Sequence, residues 1–309
     1  MGVSEEFSVF YNSELKHLLL PLENYRIRRI MLFKRFRNIS FLMGLFLAFT
    51  IYTGNALLIS LGGSLVVFAL GLAYESLTKT NSYLRKEYKN RILPKMLNFV
   101  CSVFEYIPRQ KISKYVFEKS LLFPREISTV EGEDFMRFFI DDVELMFCES
   151  KVYGYVPKSI MFNGIFISST FNKTFNFKTF IFPKKTTSFF RKLKFKVLGS
   201  SFRVKLEDPE FEREFIVLSE DQVESRYILT PSLMQRILEY KRKFDSELAI
   251  SFVSNRLYCS IPNSRNLFEP PIFTSFLDID FIFKSLEPVI LYTSIIKDLN
   301  LNIRIWSKL

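Results

Sequence analysis

The stretch NISFLMGLFLAFTIYTGNALLISLGGSLVVFALGLAY, residues 38–74, decides the fold class because it holds no charged residue over 37 positions. One helix of that length would be about 55 Å long, whereas the hydrocarbon core of a bilayer is about 30 Å thick. A single straight span therefore fits poorly. Thr53-Gly54-Asn55 stands in the middle and is typical of a turn. The stretch predicts a helical hairpin with arms at residues 39–52 and 56–74.

This hairpin is interpreted as membrane-spanning, and the alternative is a buried helical hairpin of a soluble protein. Small residues such as Ser60, Gly63 and Ala69 recur on the second arm, which would let the two arms approach closely. Neither arm contains Asp, Glu, Lys or Arg, whereas a pump or channel usually carries an ionisable residue inside the membrane. The pattern favours an anchor over a transport path.

Cations flank the hairpin on both sides. Lys and Arg close to a span stay on the cytoplasmic side of a membrane, so both termini are expected in the cytoplasm and only the turn outside. The membrane-flanking cations are Arg26, Arg28, Arg29, Lys34, Arg35, Arg37, Lys79, Arg85, Lys86 and Lys89.

The charge distribution supports a membrane rather than a nucleic acid as the basic region's partner. The net charge is +11, and residues 1–120 hold 17 Lys and Arg against 8 Asp and Glu. The excess therefore surrounds the apolar stretch, and no nucleic-acid partner is expected. Cys101, Cys148 and Cys259 form no paired motif, which fits a reducing compartment. His17 is the single histidine of the chain, which excludes a multi-histidine metal site.

The sequence predicts an α+β protein in four parts. Residues 1–37 form an N-terminal cytoplasmic helix, residues 38–75 the transmembrane hairpin, and residues 76–124 an amphipathic helical connector in which Pro94 kinks or breaks the helix. Residues 125–309 form a mixed strand and helix cytoplasmic domain. We find no phosphate-binding loop, dinucleotide fingerprint, hydrolase elbow or zinc motif, and no cofactor, metal or catalytic residue is assigned.

Alternation and turn residues predict the elements of the last part. Residues 162–185 predict a β-hairpin with its turn near Asn172-Lys173, and ELAISFV and RLYCSIP predict another around Ser254-Asn255. Leu286-Glu287-Pro288 is expected to open a helix to about Lys297. LNIRIW, residues 301–306, is expected to end the chain as a short strand.

An acidic stretch at residues 207–224 has eight carboxylates in eighteen positions and allows two interpretations. We favour helix ends. Asp208 before Pro209 is a typical N-cap, Ser219 begins a capping-box pattern, and Thr230-Pro231 repeats this logic. The alternative is a metal-dependent hydrolase. Its candidate residues are Asp208, Glu210, Glu220 and Asp221.

A basic run precedes the acidic stretch and is interleaved with Phe residues. Such interleaving occurs on faces that bind single-stranded nucleic acid, but a solvated face next to a membrane explains it more simply. We therefore expect a surface for anionic lipid or a partner. Its residues are Lys184, Lys185, Arg191, Lys192, Lys194 and Lys196.

Three segments carry a family resemblance: FNGIFISSTFNKTFNFKTFIFP, KLEDPEFEREFIVLSEDQVESRYILTPSLMQRI and LYCSIPNSRNLFEP. With the hydrophobic hairpin ahead of them, residues 125–309 resemble the bacterial membrane proteins of domain-of-unknown-function family 3137. The resemblance implies the bacterial inner membrane, no transferable catalytic residue and a partner of the LemA family. The expected function is a non-enzymatic, membrane-anchored scaffold that binds a protein, and a homo-oligomer is compatible with it. The alternatives are an anionic-lipid-sensing module and the hydrolase.

Overall fold

The computed structural model describes residues 5–54, 56–123, 125–140, 143–155, 159–170, 174–184, 202–244, 247–263, 266–270 and 272–304. The chain divides into two compact units. The first comprises Met1–Met96 and Phe268–Ser285, and the second comprises Leu97–Leu267 and Leu286–Leu309. The expected α+β class is confirmed, because long apolar helices dominate the first unit and an antiparallel sheet dominates the second.

Two long helical rods form the first unit. The first rod runs through α1 (Glu5–Phe10), a π-helical turn (Tyr11–Leu15) and α2 (Lys16–Thr53), and the second through α3 (Ala56–Glu87), another π-helical turn (Tyr88–Ile92) and α4 (Leu93–Val100). Gly54 ends α2 with φ 73°, a left-handed conformation that glycine adopts readily, and donates its N–H to the Ile51 carbonyl at 3.2 Å. The chain therefore reverses where the sequence places a turn.

Contacts along the rods show that α2 and α3 run antiparallel. The rings of Tyr25 and Tyr83 lie 4.5 Å apart, and Arg29 Nε donates to Thr80 Oγ1 at 3.1 Å. Towards the turn, Gly62 packs so closely that an added Cβ would lie 3.3 Å from Leu47 Cδ1. The small residues thus allow close packing of the two helices, as their positions predict.

Pro94 does not break the helical rod, which continues to Val100. It is the second residue of α4, directly after the π-helical turn Tyr88–Ile92. A proline cannot donate to the carbonyl four residues back, and its ring crowds that carbonyl. The wider π turn falls where this crowding would act and lets the helical rod continue.

A sheet forms the centre of the second unit, with nine strands among the described residues. Every strand pair is antiparallel, and the order is β1-β2-β3-β4-β9-β8-β5-β7-β6. The strands are β1 (Phe104–Ile107), β2 (Ile127–Ile140), β3 (Val143–Gly154), β4 (Ile160–Thr170), β5 (Thr179–Pro183), β6 (Phe202–Val204), β7 (Phe215–Ser219), β8 (Ala249–Val253) and β9 (Arg256–Pro262).

Helices accompany the strands of the second unit. They are α5 (Lys114–Lys119), α6 (Pro209–Glu214), α7 (Gln222–Ile228), α8 (Pro231–Phe244) and α9 (Ile279–Arg304), the last beginning in the first unit. One hydrophobic cluster lies on the sheet face where Phe117 of α5 stacks on Phe166 of β4 with ring centroids 4.0 Å apart. Cys148 and Val152 of β3 belong to the same core, so aromatic packing fixes α5 on the sheet.

Two strand predictions in this unit have different outcomes. The hairpin around Ser254-Asn255 is confirmed, since β8 and β9 pair directly and Ser254 adopts φ 56°. The hairpin over residues 162–185 is wrong: β4 pairs with β9, and β5 pairs with β8. A distant hairpin therefore separates β4 from β5, which no local pattern reveals. The expected turn at Asn172-Lys173 lies outside the described residues.

The predicted helix boundaries need three corrections. Residues 104–107, expected in the helical connector, form β1 because they pair with β2. Helix α9 starts at Ile279 and not near Leu286, because the Asp278 carboxylate accepts the backbone N–H groups of residues 280 and 281 and caps it. The helix continues to Arg304, so the predicted C-terminal strand is wrong for residues 301–304. Residues 305 and 306 lie outside the described part of the chain.

Candidate functional site

One candidate surface is the apolar exterior of α2 and α3. The most apolar window of the first helical rod is only 11 % buried, and that of the second is 17 % buried. Phe41, Phe49, Val67 and Phe68 are each more than 60 % exposed. A helix of a soluble core would bury such side chains, and an exposed patch of this extent marks a membrane or protein contact.

The membrane-flanking cations fall into two groups. One group makes internal contacts: Arg29 binds Thr80, and Arg85 and Lys89 both bind the Glu269 carboxylate. The second group is exposed on the helix surfaces and forms no ion pair within the described residues. Its members are Arg28, Lys34, Arg35, Arg37 and Lys86. Lys79 pairs with Glu75 on the helix surface.

A buried ion pair in α2 holds the returning segment Phe268–Ser285. Arg26 donates from Nε and Nη2 to the Glu23 carboxylate at 2.8 and 2.7 Å, and from Nη1 to the Ile272 carbonyl at 3.0 Å. Glu23 in turn accepts from Ser275 Oγ at 3.0 Å and from the Phe276 N–H at 2.9 Å. Three of these five bonds join the helix to the segment, and the two within α2 hold Arg26 and Glu23 in place; together they form a polar clamp.

The clamp perturbs the acid–base chemistry of its carboxylate. The hydrogen bonds from Arg26 are the main cause that lowers the pKa of Glu23 below its ordinary value, and they prevail over burial, which raises it. Glu23 therefore stays ionised while buried. Sequence reasoning missed this role of Arg26, although an acid three residues before an arginine in an apolar helix is a usable signal.

The acidic stretch supplies helix caps, largely as expected. The Asp208 carboxylate accepts the N–H groups of Glu210 and Phe211 at 2.9 and 3.1 Å and caps α6. The cap of α7 is Asp221, which accepts from the Glu224 N–H at 2.7 Å. The prediction that Ser219 caps this helix is wrong, because its hydroxyl lies at the end of β7 and bonds to Thr179 Oγ1 at 2.9 Å.

Other carboxylates of this stretch pair with cations from neighbouring elements. Glu210 pairs with Arg242, Glu212 with Arg203, Glu214 with Lys241 and Glu220 with Lys178. Glu224 instead accepts two backbone N–H groups, from residues 176 and 177. The side chains proposed for a hydrolase thus diverge into separate caps and ion pairs, and they do not converge on one point.

Of the six residues predicted for the lipid or partner face, the structure describes one, Lys184. Lys184 follows β5, and its Nζ donates to the Glu212 carbonyl at 3.1 Å. The other residues of the predicted lipid or partner face lie outside the described part of the chain: Lys185, Arg191, Lys192, Lys194 and Lys196.

A polar cavity of about 270 Å³ lies on the sheet across β2, β3 and β4. Its charged lining consists of Glu131, Glu133, Glu149 and Lys151. Two of these acids already accept hydrogen bonds from the loop after β9: Glu149 from the backbone N–H of residue 267 at 2.7 Å, and Glu133 from the side chain of residue 266 at 3.4 Å. The cavity therefore belongs to the packing of this loop on the sheet.

Two tyrosines, one on α5 and one directly after β3, expose large aromatic side chains of a type that is common at protein-binding surfaces. Tyr115 is 64 % exposed and Tyr155 59 % exposed. Lys119 Nζ lies over the Tyr115 ring at 5.2 Å, and Lys114 Nζ over the Tyr155 ring at 5.6 Å. Tyrosine is enriched at protein interfaces. Sequence reasoning missed this tyrosine–lysine patch, although Tyr115 and Lys119 stand four residues apart on α5; Tyr155 comes from a separate segment after β3.

Comparison with known proteins gives one family and one solved structure. No curated protein matches the chain. The crystal structure of the mycobacterial trehalose monomycolate transport factor A is similar at 10 % identity, covers 68 % of this chain and 91 % of that chain, and has a TM-score of 0.34, too low to indicate a common fold. The expected resemblance is confirmed over a segment: residues 160–301 match the family described as protein of unknown function (DUF3137).

Proposed function

We propose that this chain is a membrane-anchored, non-enzymatic interaction protein of the bacterial inner membrane, whose α+β unit binds a protein partner at the cytoplasmic face. The apolar exterior of α2 and α3 carries the proposal. The most apolar stretches of the two helical rods are only 11 % and 17 % buried, which fits a lipid environment better than a soluble core. The family resemblance, which implies bacterial membrane proteins, agrees with this location.

The lengths of the two apolar arms suit one crossing each. Residues 38–53 extend about 24 Å and residues 56–74 about 29 Å at the helical rise, against a hydrocarbon core of about 30 Å. The shorter arm gains reach when Arg37 extends its charged end to the headgroups. Arg29, eight residues before Arg37, lies beside Thr80, which is five residues after Glu75. Arg37 and Glu75, the first charged residues next to the two apolar arms, therefore stand at similar heights.

The orientation follows from the cations on both flanks, which favour two cytoplasmic termini. Reporter fusions at residues 37, 54 and 309 test it in cells. Fusions at 37 and 309 should be active only as cytoplasmic reporters, and the fusion at 54 only as a periplasmic one. A fusion at 309 that is active only in the periplasm would contradict the orientation.

The tyrosine–lysine patch supports a protein partner for the second unit. Two tyrosine side chains are more than half exposed, and tyrosine is among the residues that dominate interface energetics. The acids proposed for hydrolysis serve caps and ion pairs, which supports binding over catalysis. A membrane protein of the LemA type, implied by the resemblance, is the first partner to test.

Photo-crosslinking in native membranes tests the partner surface. A photoreactive residue at Tyr115 or Tyr155 should give one defined adduct, and the same probe at Val223, which is equally exposed at 61 % on α7, should not. The adduct at one tyrosine position should weaken when the other tyrosine is changed to Ala. Adducts of equal yield at all three positions would show that the patch is not a binding surface.

A further inference from the structure

An apolar groove runs along the hairpin between α2 and α3, with a cation at its end. Its cavity volume is about 420 Å³. Its lining residues are Arg37, Phe41, Gly44, Leu45, Val66 and Leu70, together with Ser40. The α2 members recur at helical spacings of three, four, seven and eight residues, so they lie on one face. The groove is thus a continuous feature of one side of the hairpin.

A missing side chain creates the groove. A Cβ on Gly44 would meet nothing within 4 Å, whereas a Cβ on Gly62 would press on Leu47 at 3.3 Å. The helices are therefore closely packed at Gly62, and α2 leaves a space at Gly44. Phe41 and Leu45 stand beside that space, 68 % and 56 % exposed. The space suits a flexible hydrocarbon chain.

Arg37 gives the groove a charge preference. Among the described residues, its guanidinium has one polar contact, to Asn38 Oδ1 at 3.4 Å. The other polar lining side chain is already engaged, since Ser40 Oγ donates to the Phe36 carbonyl at 2.9 Å. A guanidinium presents a planar set of donors that binds phosphate oxygens in pairs.

We propose that this groove binds one anionic phospholipid, with an acyl chain between α2 and α3 and the phosphate on Arg37. This inference rests on the proposed membrane anchoring. From Arg37 to Leu45 the helix rises about 12 Å, close to half of a hydrocarbon core of about 30 Å. The groove therefore matches one leaflet, with Arg37 at the level of its headgroups.

The test uses the full chain in bilayers that contain spin-labelled phosphatidylglycerol or phosphatidylcholine. The ratio of the two association constants reports headgroup selectivity. One cation at an anionic surface contributes about fivefold, so the native chain should prefer phosphatidylglycerol by about that factor. Arg37→Gln should bring the ratio close to one, and Arg37→Lys should retain most of the preference.

Two matched variants separate a site from diffuse attraction. Arg35→Gln removes an exposed cation that lies about 200° around the helix from Arg37 and should leave the ratio unchanged. Gly44→Leu fills the groove and should reduce the restricted fraction of both lipids, whereas Gly71→Leu, at an open position outside the lining, should not.

Each outcome bears on a distinct claim. If Arg35→Gln and Arg37→Gln lower the ratio of association constants equally, or if the native ratio is near one, the lipid site is overturned while the chain still resides in the bilayer. A native chain that does not incorporate into bilayers would overturn the membrane anchoring itself, and the lipid site with it.

Discussion

Removing Arg26 tests whether the polar clamp in α2 holds the returning segment. Arg26→Met keeps much of the side-chain length and removes both guanidinium donors to Glu23, while Ser275 and the Phe276 N–H still donate to it. The two side chains are 10 % and 7 % exposed, so the variant leaves a carboxylate buried without its charged partner. Loss of one partner of a buried pair costs about 3–5 kcal/mol. The matched control is Arg91→Met in the exposed pair with Glu87, which should cost less than about 0.5 kcal/mol.

Hydrogen exchange of the full chain in a bilayer gives the measurement. The Phe276 N–H donates to Glu23 at 2.9 Å, so its exchange reports opening of the clamp. At about 1.4 kcal/mol for each factor of ten, a loss of about 3–5 kcal/mol accelerates exchange roughly 100-fold or more. Peptides covering residues 272–277 should show this acceleration in Arg26→Met and not in Arg91→Met.

The double variant Glu23→Gln/Arg26→Met distinguishes an orphaned charge from lost packing. It removes both charges and keeps an oxygen that can accept the Phe276 N–H. Because the cost of the single variant comes mainly from an uncompensated carboxylate, the double variant should exchange more slowly than Arg26→Met alone. If both variants exchange at the same rate, or if Arg26→Met exchanges like the native chain, the ion pair does not hold the segment.

The pH dependence of exchange should change sign between these proteins. In the native chain the pKa of Glu23 is lowered, so the clamp is fully present above the unfolded value of about 4.3 and is lost as pH falls through the folded pKa. In Arg26→Met the main lowering cause is gone and burial, which raises the pKa, remains. Acidification should then protonate the orphaned carboxylate and raise the protection factor, which is the intrinsic amide rate at the same pH divided by the exchange rate; in the native chain the protection factor should fall.

Three further predictions concern the second unit. Asp208→Ala should lower the free energy of unfolding by about 0.5–2 kcal/mol in a denaturant titration because two backbone amides lose their cap, whereas Glu207→Ala at the exposed neighbour should stay within about 0.5 kcal/mol. Gly164→Ala should cost more than about 2 kcal/mol in the same titration, because its Cβ would lie 2.0 Å from a backbone oxygen; an unchanged midpoint would contradict this packing. Burial raises the pKa of Cys148 to about 11, so timed alkylation at pH 8 with mass spectrometry should label Cys101 first, and equal labelling of both would refute the burial argument.

Features set by neighbours in sequence were predictable. The turn at Gly54 and the cap at Asp208 were placed correctly, because a helix end and its capping partners lie within about three residues. Ser219 shows where such reasoning is imprecise. Serine and aspartate both cap helices, and Asp221, two residues later, caps α7 because Ser219 is the last residue of strand β7. Local chemistry selects the region of a cap more reliably than the residue.

Features set by distant partners were not predictable. Strands β4 and β5 look like a hairpin because both are apolar and a polar segment joins them, yet β9 and β8 lie between them in the sheet. Residues 104–107 follow a helical pattern until β2 supplies a pairing edge. In both cases hydrogen bonds to residues far along the chain outweigh the local pattern, and no window of sequence contains those partners.

The flanking cations of α2 also combine a feature that the sequence alone predicts with one that depends on distant partners. For orientation each Lys or Arg counts alike, because the positive-inside tendency depends on charge near the span and not on contacts. Position around the helix then separates their roles. Arg26 and Arg29, three residues apart, face the interior and bind Glu23 and Thr80. Arg37 faces the groove. A count of charges therefore suffices to predict an orientation for the hairpin, whereas the proposed lipid selectivity depends on which cation stands beside the space left by Gly44.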